Sequence, residues 1–297
     1  MNVRDALVAL GVMIIWGFNM PFAKYAMAQM SPIMMIALRF ALTAALLLPF
    51  AKFPRGRMGS IALLSFTLGT VHFSLMFSGI NGTDAALAAI LSQTQVPFAA
   101  LLAWAAFGDR PGWRGVLGQV VAFAGIFVLA GEPGTASNIG AVMLCIAGSL
   151  MWAVSTIQLK KLGPVNGTAL NAWIALLAVP QLILVSAFIE DGQVEAIRSA
   201  DWRLWASIVY QAVGVVIIGY VVWFRMLTRY SVSQTMPYTL LVPLFGVLGG
   251  HFFLDEPITW QRVVGGLLII AGVAIILVRS PPVPAETVPP SGGPPAN

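Results

Sequence analysis

Ten runs of about twenty mostly apolar residues, separated by short polar breaks, constrain this chain more than any other feature. They span about 4–24, 32–51, 59–80, 85–107, 113–130, 138–159, 168–189, 203–224, 232–254 and 260–279. At about 1.5 Å rise per residue, such a run crosses the hydrocarbon of a bilayer as one α-helix. In lipid the backbone must satisfy its own hydrogen bonds, which leaves a helix as the form for a run of this kind. The sequence therefore predicts an all-α integral membrane protein with ten transmembrane helices. Only 9% of its residues are charged, against about 25% in a soluble domain. The net charge of +5 is not read as a nucleic-acid footprint, because the positive residues sit in the breaks between runs, where membrane orientation is set. The expected partners are the lipid bilayer and a small-molecule substrate, with no nucleic acid.

The Lys and Arg count gives an orientation. With the N-terminus in the cytoplasm, 11 of the 16 fall inside, 4 (Lys24, Arg198, Arg203 and Arg262) fall outside, and Arg39 lies within a run. Both termini are thus expected in the cytoplasm, in a bacterial inner membrane. The first run is not read as a cleavable signal: it carries Asp5 at its start and ends in Asn19, Pro21 and Lys24. The single cysteine, Cys145, excludes an intramolecular disulfide and suggests no zinc or redox chemistry. No cofactor and no metal are expected, and the protein is read as a monomer.

One stretch occurs twice. Leu91–Gly125 and Ser233–Gly272 share an apolar run with an internal proline, an acidic-proline break, a Trp and a Gly-rich run. Pro97 answers to Pro243, Trp113 to Trp260, Gly118 to Gly265 and Gly125 to Gly272. Trp16 and Lys24 are echoed by Trp152 and Lys160. Repeats of this length fill half the chain each. With five helices per half, the second half enters the membrane upside down, giving two inverted five-helix repeats, the usual basis of alternating access. The expected organisation is a first repeat over 1–130, a connecting loop over 131–137, a second repeat over 138–279, and a disordered Pro-rich tail over 280–297.

Several segments carry a resemblance. Tyr220–Leu227 (YVVWFRML), Tyr230–Ser233 (YSVS), Leu241–Gly246 (LVPLFG), Leu254–Pro257 (LDEP) and Gly265 resemble the second repeat of the EamA-type drug/metabolite transporters. Trp16, Asn19 and Arg39 match the opening of the first. The resemblance covers about 4–279 and departs from the family at Asp109-Arg110, where Gly-Glu is usual. It implies ten helices in two inverted repeats, cytoplasmic termini and export of small metabolites. Within the family the chain looks most like amino-acid exporters, aromatic ones included.

The residues add a mechanism. All eleven acidic residues lie at helix ends, in loops or in the tail. Intramembrane ionisable groups mark ion pathways, so their absence argues against coupling through a carboxylate and against a permanently cationic substrate. The inventory suits a zwitterion: amides for its charged ends, aromatic walls for its side chain. The residues expected to bind substrate are Trp16, Asn19, His72, Met76, Gln93, Trp152, Tyr220 and Tyr238. Each has a plainer reading as ordinary helix packing. Arg39 either captures a substrate carboxylate or anchors neighbouring helices. The function expected is a secondary transporter exporting neutral, aromatic or large apolar amino acids by alternating access. The alternative is export of another small metabolite or drug, such as a nucleobase, with proton coupling through His72. An enzyme is not indicated, since no H-E-x-x-H, G-x-S-x-G or buried acid pair occurs.

Overall fold

The apolar runs fold as helices wherever their residues are described. The structure, a computed structural model, describes residues 3–108, 113–130, 138–163, 165–229, 238 and 241–277. In chain order the helices are α1 (Val3–Met27), α2 (Pro32–Phe50), α3 (Met58–Gly82), α4 (Ala85–Phe107), α5 (Trp113–Ala130), α6 (Ile139–Leu162), α7 (Gly167–Ile189), α8, α9 (Leu241–Leu254) and α10 (Trp260–Leu277). The apolar part of α8 is Trp202–Trp223, and the helix continues through Tyr220–Arg229. Seven of these helices are long and apolar enough to cross a membrane, while α5, α9 and α10 are shorter apolar helices. The chain is a multi-pass membrane protein. Of the expected ninth span, 232–240 lies outside the described residues except for Tyr238, as do the 131–137 loop and the 280–297 tail.

Local chemistry sets the helix starts. Pro32 opens α2, where its fixed φ suits a first turn. Asn166 caps α7 by accepting from the Ala169 N–H at 3.0 Å. Asp201 caps α8, accepting from the N–H groups of Arg203 and Leu204 at 2.8 and 3.1 Å. A bond from the Gln29 amide, together with these two, holds the Asp201 carboxyl below its ordinary range.

Two features of the fold depart from what the local sequence suggests. Asp84 looks like the cap of α4, yet its side chain caps nothing. It is drawn to Arg262 and Lys24, and the cap comes from Glu256, whose two oxygens accept from Ala85 N–H (2.7 Å) and Ala86 N–H (2.8 Å). The polar break Glu190–Asp201, between the seventh and eighth apolar runs, reads locally as a loop but contains a short helix, Gln193–Ser199. Ala196 and Ile197 pack on the core, and the Gln193 amide donates to the carbonyls of Ser186 and Glu190.

The core lies where α2, α3, α4, α6 and α7 meet, around Met35, Ile36, Phe77, Ile90, Leu91 and Leu182. The main helix pairs are α2 with α7, α3 with α6, α1 with α9, and α5 with α10. The last is the closest, as the Gly-rich faces foretell. A Cβ on Gly125 would lie 2.6 Å from the Gly265 carbonyl, and one on Gly272 would lie 2.5 Å from the Gly118 carbonyl. Without side chains there, two backbones approach to contact. Many large apolar side chains face outward, among them Phe127, Phe188, Leu184 and Leu267, as a lipid-facing surface requires.

One end of the bundle is laced by polar contacts. Lys24 reaches the Thr83 carbonyl and lies 3.7–3.8 Å from Glu256 and Asp84. Asp84 pairs with Arg262. Glu190 accepts from the N–H groups of Ile33 and Met34 at 2.7 and 3.1 Å, which caps α2 from the end of α7. Gln29 and Asp201 exchange two bonds at 3.0 and 3.2 Å. Asp255, just before Glu256, adopts a left-handed backbone (φ 53°) that aspartate tolerates better than most residues.

Candidate functional site

The eight residues singled out from sequence fall into two groups. The first gathers on α1 and α8. The Trp16 indole donates to the Val215 carbonyl at 3.2 Å, and its ring lies 5.4 Å from Tyr220 and 5.6 Å from Trp223. Tyr238 packs against the same cluster. Residues 210–219 of α8 are wound as a π-helix, a form often found at functional sites. Both contacts from α1 land there: Trp16 on Val215, and the Ile15 carbonyl, which accepts from the Tyr210 hydroxyl at 2.6 Å. Gly219 ends this stretch directly beneath the indole, where any Cβ would collide with the Trp16 Nε1. Asn19, three residues on from Trp16 and so on the same face of α1, keeps a buried Oδ1 without a hydrogen-bond partner.

The second group gathers on α3, α4 and α6. His72 is 4% exposed and donates from Nδ1 to the Gly148 carbonyl at 2.8 Å. Trp152 follows Gly148 by four residues and shares its face of α6, so its ring lies 5.1 Å from the imidazole. Met76 is buried one turn along α3, and a Cβ on Gly148 would lie 3.0 Å from the Met76 nitrogen. Gln93 is buried within a 3-10 turn, Ser92–Thr94, that packs against α6. A second π-wound stretch, Ser65–His72, ends at the histidine. His251 bonds the Glu256 carbonyl at 3.0 Å at a helix end, the plain role that its position suggests.

Not every buried amide belongs to a site. Gln158 donates to Thr67 at 3.0 Å, and Gln181 accepts from Thr70 at 2.8 Å. Both tie α3 to its neighbours as interhelical hydrogen bonds.

Between the two groups stands Arg39. It is 3% exposed, bonds Gln211 in the π-wound stretch of α8, and lies over Phe73, whose ring is 4.6 Å from that of His72. Its guanidinium lies 4.5, 5.2 and 5.7 Å from the ring centroids of Phe73, Phe40 and Phe77. Its one hydrogen bond among the described residues is a long one, 3.4 Å, to the Gln211 amide oxygen. An arginine at the centre of a membrane helix costs about 2.5–3.5 kcal/mol on insertion scales. Cation–π contacts return about 0.5–2 kcal/mol each, which offsets much of that cost. Sequence reasoning found the arginine but not its surroundings. Phe40 is adjacent in sequence, while Gln211 is 172 residues away.

The described acidic residues lie at the bundle ends as expected, with one refinement: Glu256 is buried, 6% exposed, within the end lacing. Among the described residues, no group of three or more His, Cys, Asp or Glu is arranged to hold a metal. A cleft of about 420 Å³ opens between α1, α8 and the end of α9, lined by Phe22, Tyr25, Trp202, Arg203, Tyr210 and Phe253 among others. None of the eight candidate residues lines it.

Comparison with known proteins gives a consistent picture. The profile of the EamA-like transporter family matches residues 4–131 and 139–278. The chain is 30% identical over 285 residues to a "Probable amino-acid metabolite efflux pump" of Escherichia coli, covering 93% of this chain and 95% of that one. A protein of the same name from Salmonella typhimurium is 29% identical over the same shares. "Uncharacterized transporter YvbV" of Bacillus subtilis is 28% identical, over 94% of this chain and 93% of its own. A solved crystal structure superposes with a TM-score of 0.61 at 16% identity, over 93% of this chain and 96% of that chain. That last likeness bears on the fold alone.

Proposed function

Since the chain belongs to the EamA-like transporter family, and is a transporter and not an enzyme, we propose that it exports neutral amino acids with aromatic or large apolar side chains. The observation that carries this reading is the composition of the two side-chain groups: tryptophan, tyrosine, histidine and methionine walls, with the amides Asn19 and Gln93 among them and no carboxylate. A zwitterion is held by neutral hydrogen-bonding groups at one end and apolar walls elsewhere. The names of the Escherichia coli and Salmonella typhimurium relatives agree with an amino-acid substrate. In this reading Gln93 and Asn19 meet the part common to all amino acids, and Trp152 and Met76 meet the side chain. Gln93→Leu then lowers uptake of every amino acid into proteoliposomes. Trp152→Ala shifts the preference toward smaller side chains and spares small substrates. Parental uptake of a full amino-acid panel by both folded variants would place the site elsewhere.

The transport cycle follows from two inverted five-helix repeats, 1–130 and 138–279, rocking about a site between them, in a monomer with both termini in the cytoplasm of an inner membrane. The lacing through Lys24, Asp84, Glu256 and Arg262 then closes the outer mouth and parts when it opens. Single cysteines in Lys52–Arg57 and in Glu190–Asp201, on a Cys145→Ser background, are expected to label from opposite faces of the membrane. Labelling from one face would rule out the inverted arrangement.

A further inference from the structure

Arg39 carries more donors than the protein uses. A guanidinium has five N–H groups in a planar fork, and among the described residues only Nη1 has a hydrogen-bond acceptor, the Gln211 oxygen at 3.4 Å. Nε is buried with no partner. Among the described residues, no carboxylate lies within 4.0 Å of it, although three of the other buried or half-buried charges, Lys24, Glu256 and Arg262, are all paired. The guanidinium carbon sits over the Phe73 ring, 4.5 Å from its centroid, with Phe40 and Phe77 at 5.2 and 5.7 Å. The group is thus surrounded by aromatic rings and, among the described residues, has no anion beside it. An arginine fork binds a carboxylate through two parallel bonds.

Resting on the amino-acid reading given above, we propose that Arg39 receives the carboxylate of the substrate when the bundle opens, with Gln211 beside it as a second polar contact. The placement between the two aromatic groups orients the rest of the molecule. The like charge of Arg39 turns the substrate ammonium away, toward the Trp16, Tyr220 and Trp223 rings, where cations are favoured. The side chain then lies toward His72, Met76 and Trp152. A substrate lacking the carboxylate leaves the buried fork unmatched, which is a strong basis for rejection.

Purified protein in liposomes, loaded with labelled phenylalanine, is competed with unlabelled phenylalanine, phenylalaninamide and phenethylamine. The parent is expected to prefer the carboxylate over the amide by about 10-fold or more. Arg39→Gln should bring the two within about 3-fold of each other. Gln211→Glu supplies a carboxylate beside the fork. It should fold at least as well as the parent, by its thermal midpoint, yet lower uptake by about 10-fold. That result separates occupancy of the fork from a merely structural role, which an internal ion pair would support. The inference is overturned if Arg39→Gln retains the parental ratio, or if Gln211→Glu transports like the parent, while the parent still moves amino acids. A parent that moves nucleobases and no amino acid removes the reading of function as well, and the two failures are told apart by that control.

Discussion

Glu256→Ala is expected to lower the stability of the protein by about 3–5 kcal/mol, the range found when one partner of a buried charged network is removed. The reason lies in what its carboxylate holds. It accepts from two consecutive N–H groups at the start of α4, Ala85 and Ala86, both of them buried. Neither has an intrahelical partner available, since both belong to the first turn. It also faces Lys24 at 3.7 Å. The alanine variant leaves two buried donors unmatched, each costing about 1–3 kcal/mol, and leaves Lys24 with less negative charge around it. Glu256→Gln keeps one acceptor oxygen and should fall between the two. The measurement is the thermal midpoint of purified protein in detergent. A midpoint for Glu256→Ala equal to that of the parent would mean that α4 finds its cap elsewhere.

Gly219→Ala is expected to reduce transport by about 10-fold or more while most of the stability remains. The added methyl group would collide with the Trp16 Nε1 and lie 3.3 Å from the Gly214 carbonyl. The backbone atom cannot yield, so the indole moves, and its bond to the Val215 carbonyl and its packing on Tyr220 and Trp223 are lost together. Overpacking of this kind costs about 1–3 kcal/mol, but a displacement of about 1 Å at a binding wall affects turnover by more. Gly11→Ala on α1 is the control, since a Cβ there meets nothing within 4 Å, and it should transport like the parent. Parental transport by Gly219→Ala would remove Trp16 from the site.

The helices were legible because lipid leaves so little choice. Run length and polar breaks gave the starts of α2, α4 and α10 to the residue. What stayed hidden is what depends on distant partners. The sequence beside α4 offers Asp84, a good cap residue, and nothing local reveals that Arg262 and Lys24 claim its carboxylate while Glu256, 171 residues away, takes over the cap. The short helix within Glu190–Asp201 was lost in the same way, because its amphipathic face is set by contact with the core and not by its polar composition. Nor does composition announce the π-wound stretches Ser65–His72 and Tyr210–Gly219. At the candidate site, residue types were readable and their grouping was not. Trp16 with Tyr220, and His72 with Trp152, are neighbours only through the crossing of helices far apart in sequence.

The contact of α5 with α10 bears on how such a protein can be assembled. The family match falls into two segments, 4–131 and 139–278, and α5 closes the first as α10 closes the second. Their union rests on backbone meeting backbone at Gly118, Gly125, Gly265 and Gly272, so it needs no covalent link between the halves. A chain cut between Ala130 and Asn138 keeps every one of those contacts. Two separately encoded halves would therefore still carry, in these helix faces, a surface on which they can meet.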